Sequence, residues 1–104
     1  VAEFHYLHHQ PDGTPHADIA EMSARIAAAA GQSGIGLTLL PVFYAQGGFG
    51  GQAAGHGQRR FLNDVEGFAA LYDASVVAVG GLPDAVVGIA PHSLRAVTPE
   101  ELTR

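Results

Sequence analysis

Ile35-Gly36-Leu37-Thr38-Leu39-Leu40-Pro41-Val42-Phe43-Tyr44 decides the fold. It is apolar at nearly every position, without polar–apolar alternation. A strand of that composition is buried on both faces, the condition of a parallel strand covered by helices. Pro41 has no N–H for a ladder, so the strand is expected to finish about there. Upstream, Asp18 to Ala30 has helical spacing. Asp18 and Glu21 form a capping pair, and Ile19, Met22, Ile26 and Ala29 line one face. Gly31 or Gly34 ends that helix. Val1 to Leu7 reads as an earlier strand. Pro11, Asp12-Gly13 and Pro15 mark the loop between them, His8 to Ala17. Downstream, Ala45 to Arg60 is a long Gly-rich loop. Asn63 and Glu66 cap a second helix that runs to about Val79, with Val65, Phe68, Tyr72, Val76 and Val79 on one stripe. Gly80-Gly81 and Pro83 stop it. Ala85 to Ala90 is a third buried strand. Thr98-Pro99-Glu100-Glu101 then announces another helix, with Thr as N-cap, Pro at the first position and Glu at the third.

This order of about three parallel strands with two helices and the start of a third argues for right-handed parallel units. A doubly wound sheet and a (β/α)8 barrel both host it. A barrel needs about 250 residues, and this chain has 104. Only Leu102, Thr103 and Arg104 follow the announced helix, too few for a stable one. Val1 is not an initiator Met. Residues 1-104 are therefore expected to be an internal piece of a larger protein.

The composition agrees with that expectation. Apolar residues make up 47% and charged residues 14%, a balance that suits a slice through a larger core. An Ala- and Gly-rich bias is the plainer reading of the same figures. Net charge is -5, and the five basic residues are all Arg. Only Arg59-Arg60 are adjacent, which argues against nucleic acid as a partner. The chain has no Cys, hence no disulfide framework and no thiolate zinc site. Its apolar runs are too short to span a bilayer, so no membrane partner is expected.

Chemistry-bearing residues gather just past the predicted strands. His5, Tyr6, His8 and His9 follow the first, Tyr44 and Gln46 the second, His92 and Arg95 the third. In parallel α/β folds ligands bind at that carboxyl edge. His5-x-x-His8-His9 carries imidazoles that suit divalent metals. In an extended strand, however, His5 and His8 point to opposite faces, and no carboxylate stands at useful spacing. They read instead as loop residues, one or two touching a ligand. Gly47-Gly48-Phe49-Gly50-Gly51 does not run straight into a helix, so it is no phosphate cradle. It reads as a mobile loop over the site or as a plain connection. Pro91-His92-Ser93-Leu94-Arg95 is the most suggestive cluster. A guanidinium fork pairs with carboxylate, and His92 beside it can donate or accept. His92 and Ser93 are no nucleophile–base pair, since neighbours in an extended segment diverge. Met22 and Phe68 read as core.

Several of these stretches resemble one family. VAEFHYLHH (Val1 to His9), GIGLTLLPVFY with GGFGG behind it (Gly34 to Gly51), GQRRF (Gly57 to Phe61) and PHSLRAVTPEEL (Pro91 to Leu102) resemble formimidoylglutamate deiminase, of the metal-dependent amidohydrolase superfamily. The likeness implies a partial (β/α)8 TIM barrel, these residues forming approximately its second to fourth βα units. It implies a divalent metal, as a rule zinc, at the barrel's C-terminal mouth. The implied reaction is hydrolysis of N-formimidoyl-L-glutamate to N-formyl-L-glutamate and ammonia, in histidine degradation. Motif by motif it makes Tyr6, His92 and Arg95 contacts to a dicarboxylate substrate. The family's ligands, a His-x-His pair, a later His and a late Asp, match no position here, nor do its catalytic Glu and His. The piece alone is then expected to be inactive and poorly folded, and its parent a cytoplasmic homo-oligomer. Two rivals stand beside this reading: another deaminase of the same superfamily, and a short α/β binding module without catalysis.

Overall fold

A computed structural model describes residues 1–48, 53–93 and 95–103. Among the described residues four strands and three helices follow in the order β1 (Ala2–His5), α1 (Glu21–Ser33), β2 (Leu37–Phe43), α2 (Val65–Val79), β3 (Ala85–Val87), β4 (Ala90–Pro91) and α3 (Pro99–Leu102). A single 3-10 turn, His56–Gln58, interrupts the loop before α2. β2 pairs in parallel with β1 on one edge and with β3 and then β4 on the other. Sequential parallel strands with α1 and α2 packed against one face describe an arc of a barrel. A doubly wound sheet would reverse its strand order and use both faces.

Pro41 does not end β2. It lies opposite His5, with Val42 and Phe43 still paired beyond it to Ala90 and Pro91. The backbone explains why. Leu37 N–H donates to Asp84, Leu39 O accepts from Gly88, and Phe43 O accepts from His92. The odd-numbered residues of β2 therefore face the β3–β4 edge. There the pairing stops after Val87 and resumes at Ala90. The proline falls in that gap, where no N–H is required. The third strand of the sequence reading is thus two short ones.

The two faces of the sheet differ. Leu37, Leu39, Ala85 and Val87 pack against Ala27 and Ala30 of α1 and Val79 of α2. Phe43 packs against Phe68 and Leu71 of α2, with Ala20 and Val97. On the opposite face Thr38 and Leu40 are only half-buried and Phe4 and Val86 are exposed, while Val42 and Tyr44 toward the strand end are buried. Burial on both faces was expected for β2 and for the third strand; in this chain helices cover one face alone. The uncovered face is the one that a barrel turns inward.

Helix registers also shift from expectation. α1 starts at Glu21, not Asp18. The Asp18 carboxylate accepts from Ala20 N–H ahead of the helix, and Glu21 pairs with Arg25 instead. The buried face is Ser23, Ala27 and Ala30, while Ala29 is exposed and Met22 half-buried. These small residues let α1 approach α2 closely enough for Ser75 Oγ to bond Ser23 Oγ at 3.1 Å. α2 is capped by Asp64, which accepts from Gly67 N–H, rather than by Asn63. It buries Phe68, Leu71, Ser75 and Val79 and leaves Val76 exposed. Gly34 closes α1 in the left-handed conformation, φ 75°. The Thr98–Glu101 capping box of α3 forms as expected.

On the helix side of the sheet, His5, His8 and His9 are buried. β1 ends at His5 and the chain turns, so the His5 and His8 rings meet edge to face at 4.9 Å. This corrects the expectation that they point apart. His8 Nε2 donates to Val42 O at 3.0 Å and His9 Nε2 to Leu62 O at 2.5 Å. Desolvation lowers the pKa of both His5 and His8 from 6.5 to about 4. The neighbouring imidazoles push His8 the same way, against its bond to Val42.

Two predictions follow from this packing. Leu39→Ala, at a fully buried site, should cost about 2–5 kcal/mol in chemical denaturation. Val77→Ala, at an exposed one, should stay within about 0.5 kcal/mol. Second, the folded pKa values of His5 and His8 lie below the unfolded value, so their contribution is complete above about pH 6.5. It should fall as pH drops toward about 4, by about 1.4 kcal/mol per pH unit for each histidine. Denaturation across that range should show the slope, and His5→Gln should remove its share.

Candidate substrate site

The open face of the sheet carries an aromatic cluster at the strand C-termini. Phe4 and Tyr6 share that face by alternation, and their rings lie 5.9 Å apart. His92, two residues past Ala90, stacks between the first two strand ends. Its ring is 5.1 Å from Tyr6, 5.9 Å from Phe4 and 4.5 Å from Tyr44. Phe61 closes the group, 4.9 Å from Tyr6 and 5.6 Å from Tyr44. Three strands and the long loop thus meet at one place, although their residues are up to 88 positions apart in the chain.

Beside the cluster lies a cavity of about 240 Å³, lined by Tyr44, Gln46, Gln58, His92, Ser93 and Arg95 with Gly47 and Ala96. Its polar lining contains a guanidinium, an imidazole, two amides and two hydroxyls, and no carboxylate. Burial, and then the charge of Arg95, lowers the pKa of His92. The imidazole is accordingly neutral at pH 7, able to donate from one nitrogen and accept at the other. An anion would be the natural complement of such a cavity.

The walls are held from several directions. Ala45 and Gln46 N–H both donate to Ala96 O, at 2.8 and 2.6 Å, so the end of β2 is tied to the segment after Arg95. The Gln46 amide reaches both oxygens of Glu101 at 3.3 Å, fastening α3 to the same wall. Gln58 Nε2 donates to Tyr44 Oη at 2.6 Å. Gly47 sits so close to the Ala53 carbonyl that a side chain there would collide with it. A larger apolar groove, about 510 Å³, runs between α2 and β4–α3 past Phe68, Tyr72 and Ile89. It has no cation and lies on the helix side, away from the cluster.

The three residues singled out from sequence come together here. His92 and Arg95 line the cavity, and Tyr6 packs on His92 from β1, across the end of β2. His5, His8 and His9 do not join them. Phe49, Gly50, Gly51 and Gln52 lie outside the described residues, as do Leu94 and Arg104, so the expected loop over the site is seen only at its two ends. Gln58, which reaches the cavity from that loop, was not singled out. Only its place between two glycines and an Arg pair hinted at it.

Amidohydrolases generally depend on a metal. Among the described residues no three His, Cys, Asp or Glu side chains come together as a ligand set. His8 and His9 each commit one nitrogen to a backbone carbonyl.

No protein-family model matches the chain. Formimidoylglutamate deiminase from Pseudomonas aeruginosa is 52% identical over 105 residues, an alignment that takes in 98% of this chain and 22% of that protein. The crystal structure of an amidohydrolase from Brucella melitensis is 63% identical and superposes with a TM-score of 0.95, over 97% of this chain and 22% of that one. The chain therefore spans about a fifth of the length of the proteins it matches. Along almost all of its own length it is homologous to one segment of formimidoylglutamate deiminase, and its fold is that of part of an amidohydrolase (β/α)8 barrel.

Proposed function

We propose that these residues are the second to fourth βα units of a deiminase that hydrolyses N-formimidoyl-L-glutamate to N-formyl-L-glutamate and ammonia. In this reading the setting is histidine degradation in the cytoplasm. The metal is zinc, held by residues other than these, and the parent is a homo-oligomer. The observation that carries the proposal is the cavity in which Arg95 and His92 meet with no carboxylate in the lining. A dicarboxylate suits such a wall, because each carboxylate oxygen needs donors and finds no like charge against it.

The roles divide by chemistry. Arg95 is permanently charged and offers a planar fork to one carboxylate. His92 is neutral, so it can donate to an oxygen of the substrate without adding charge. Tyr6 braces His92 from the side, edge to face, and its phenol completes the substrate contacts. Held this way, the formimidoyl end is turned away from the anion site and toward the rest of the barrel mouth. Orientation of this kind supports the reaction by removing unproductive poses.

The test is ammonia release by the full-length enzyme, measured with N-formimidoyl-L-glutamate, other linear amidines and cyclic amines. The formimidoyl substrate should have the highest kcat/KM. Arg95→Ala should lower that kcat/KM about 10- to 150-fold, the loss of a charged hydrogen bond worth about 1.5–3 kcal/mol. Unchanged kcat/KM would remove Arg95 from the site. Preference for a cyclic amine would favour a different deaminase of the superfamily.

A further inference from the structure

The direction of one hydrogen bond in the cavity wall is forced, and it frees a second donor to face the cavity. Gln58 Oε1 accepts from Gly55 N–H at 2.7 Å. A backbone N–H can only donate, so this oxygen assignment cannot be reversed. The other end of the amide, Nε2, then faces Tyr44 Oη at 2.6 Å and must donate to it. The Tyr44 hydroxyl oxygen is therefore an acceptor in this contact, and its own proton points elsewhere. Tyr44 as a residue is buried, at 8% exposure, and lines the cavity. Among the described residues no acceptor takes that proton. Tyr44 and Gln58 line the same cavity as Arg95 and His92. That proton is free to be given to a molecule in the cavity, and a carboxylate held by Arg95 supplies an acceptor for it.

We propose that Tyr44 is a further substrate-binding residue, donating its phenolic proton to the carboxylate that Arg95 holds, and that Gln58 is its positioning residue. This rests on the deiminase reading above for the identity of the substrate, though not for the existence of a carboxylate site. Gln58 acts as a polarity lock: by donating to Tyr44 it obliges the phenol to donate into the cavity. Because Gln58 belongs to the 3-10 turn His56–Gln58, the long loop sets the polarity of a side chain on β2's end without touching the substrate's reacting carbon. The loop then governs affinity for the anion more than the rate of hydrolysis.

The variant Gln58→Glu separates this from simple packing. It keeps the shape and the acceptor for Gly55. Its second oxygen, however, accepts where the amide donated, and so draws the Tyr44 proton away from the cavity. In the full-length enzyme, glutarate binding measured by calorimetry should weaken about tenfold in Tyr44→Phe and by a similar factor in Gln58→Glu. The double variant should be no weaker than either single one, because both remove the same proton. KM for N-formimidoyl-L-glutamate should rise about tenfold, with kcat within about twofold.

Glutarate affinity unchanged in Tyr44→Phe, or no glutarate binding by the unmodified enzyme, would overturn the proposal. Penalties that add in the double variant would mean charge repulsion by Glu at 58 and would overturn the positioning role. Should Gln58→Glu fail to fold, Gln58→Met removes the lock without adding charge and should weaken glutarate binding by a smaller factor. No such loss would contradict the lock. If the full-length enzyme released no ammonia from N-formimidoyl-L-glutamate while the glutarate effects held, the deiminase reading alone would fail.

Discussion

Everything in this structure depends on β2 being hydrogen-bonded along both edges. A strand so placed has no freedom of register. Slipping by one residue would exchange its two faces, moving Leu37 and Leu39 from under the helices to the open side. The same constraint delivers the site. With the odd residues held in the helix layer, Tyr44 is carried past the end of the strand, alongside Tyr6 from one neighbour and His92 from the other. The core and the aromatic cluster are two consequences of one register.

The proline inside β2 shows how local and long-range rules divide. Its missing N–H would rule out a fully paired central position, yet it sits where the partner edge has already lapsed between Val87 and Ala90. Gly88 supports the same lapse from the other side, since a side chain there would meet Leu40 at 2.9 Å. The short return of β4 then sets His92 one residue beyond the strand, its N–H bonded to Phe43 O at 2.9 Å. A break in the ladder thus turns an edge into a platform for the His92 side chain.

Features that depend on near neighbours were legible in the sequence. The Thr98–Glu101 capping box and the left-handed Gly34 stop are examples, each decided within four residues. The parallel βα order was legible too, and so was the meeting of Tyr6, His92 and Arg95 at the strand ends. What escaped required knowledge of distant partners. α2 is apolar on most sides, so its spacing alone could not choose Leu71 and Ser75 over Tyr72 and Val76 for the buried face. α1 turned its alanines inward because Ser75, 52 residues away, was there to receive Ser23. His5 and His8 were placed on opposite faces by strand geometry, which fails once β1 ends and the chain turns. The Gln58–Tyr44 bond joins a loop to a strand end 14 residues apart, and no pattern in composition marks it.

The central claim is that the strand-end cavity, walled by Arg95, His92 and Tyr44, holds a carboxylate of the substrate. A crystal structure of the full-length enzyme with N-formyl-L-glutamate bound tests it most directly. The account predicts one carboxylate within hydrogen-bonding distance of both the Arg95 guanidinium and the Tyr44 hydroxyl, with the formyl group directed away from them. A product molecule seated elsewhere in the barrel, with Arg95 turned to solvent, would contradict it.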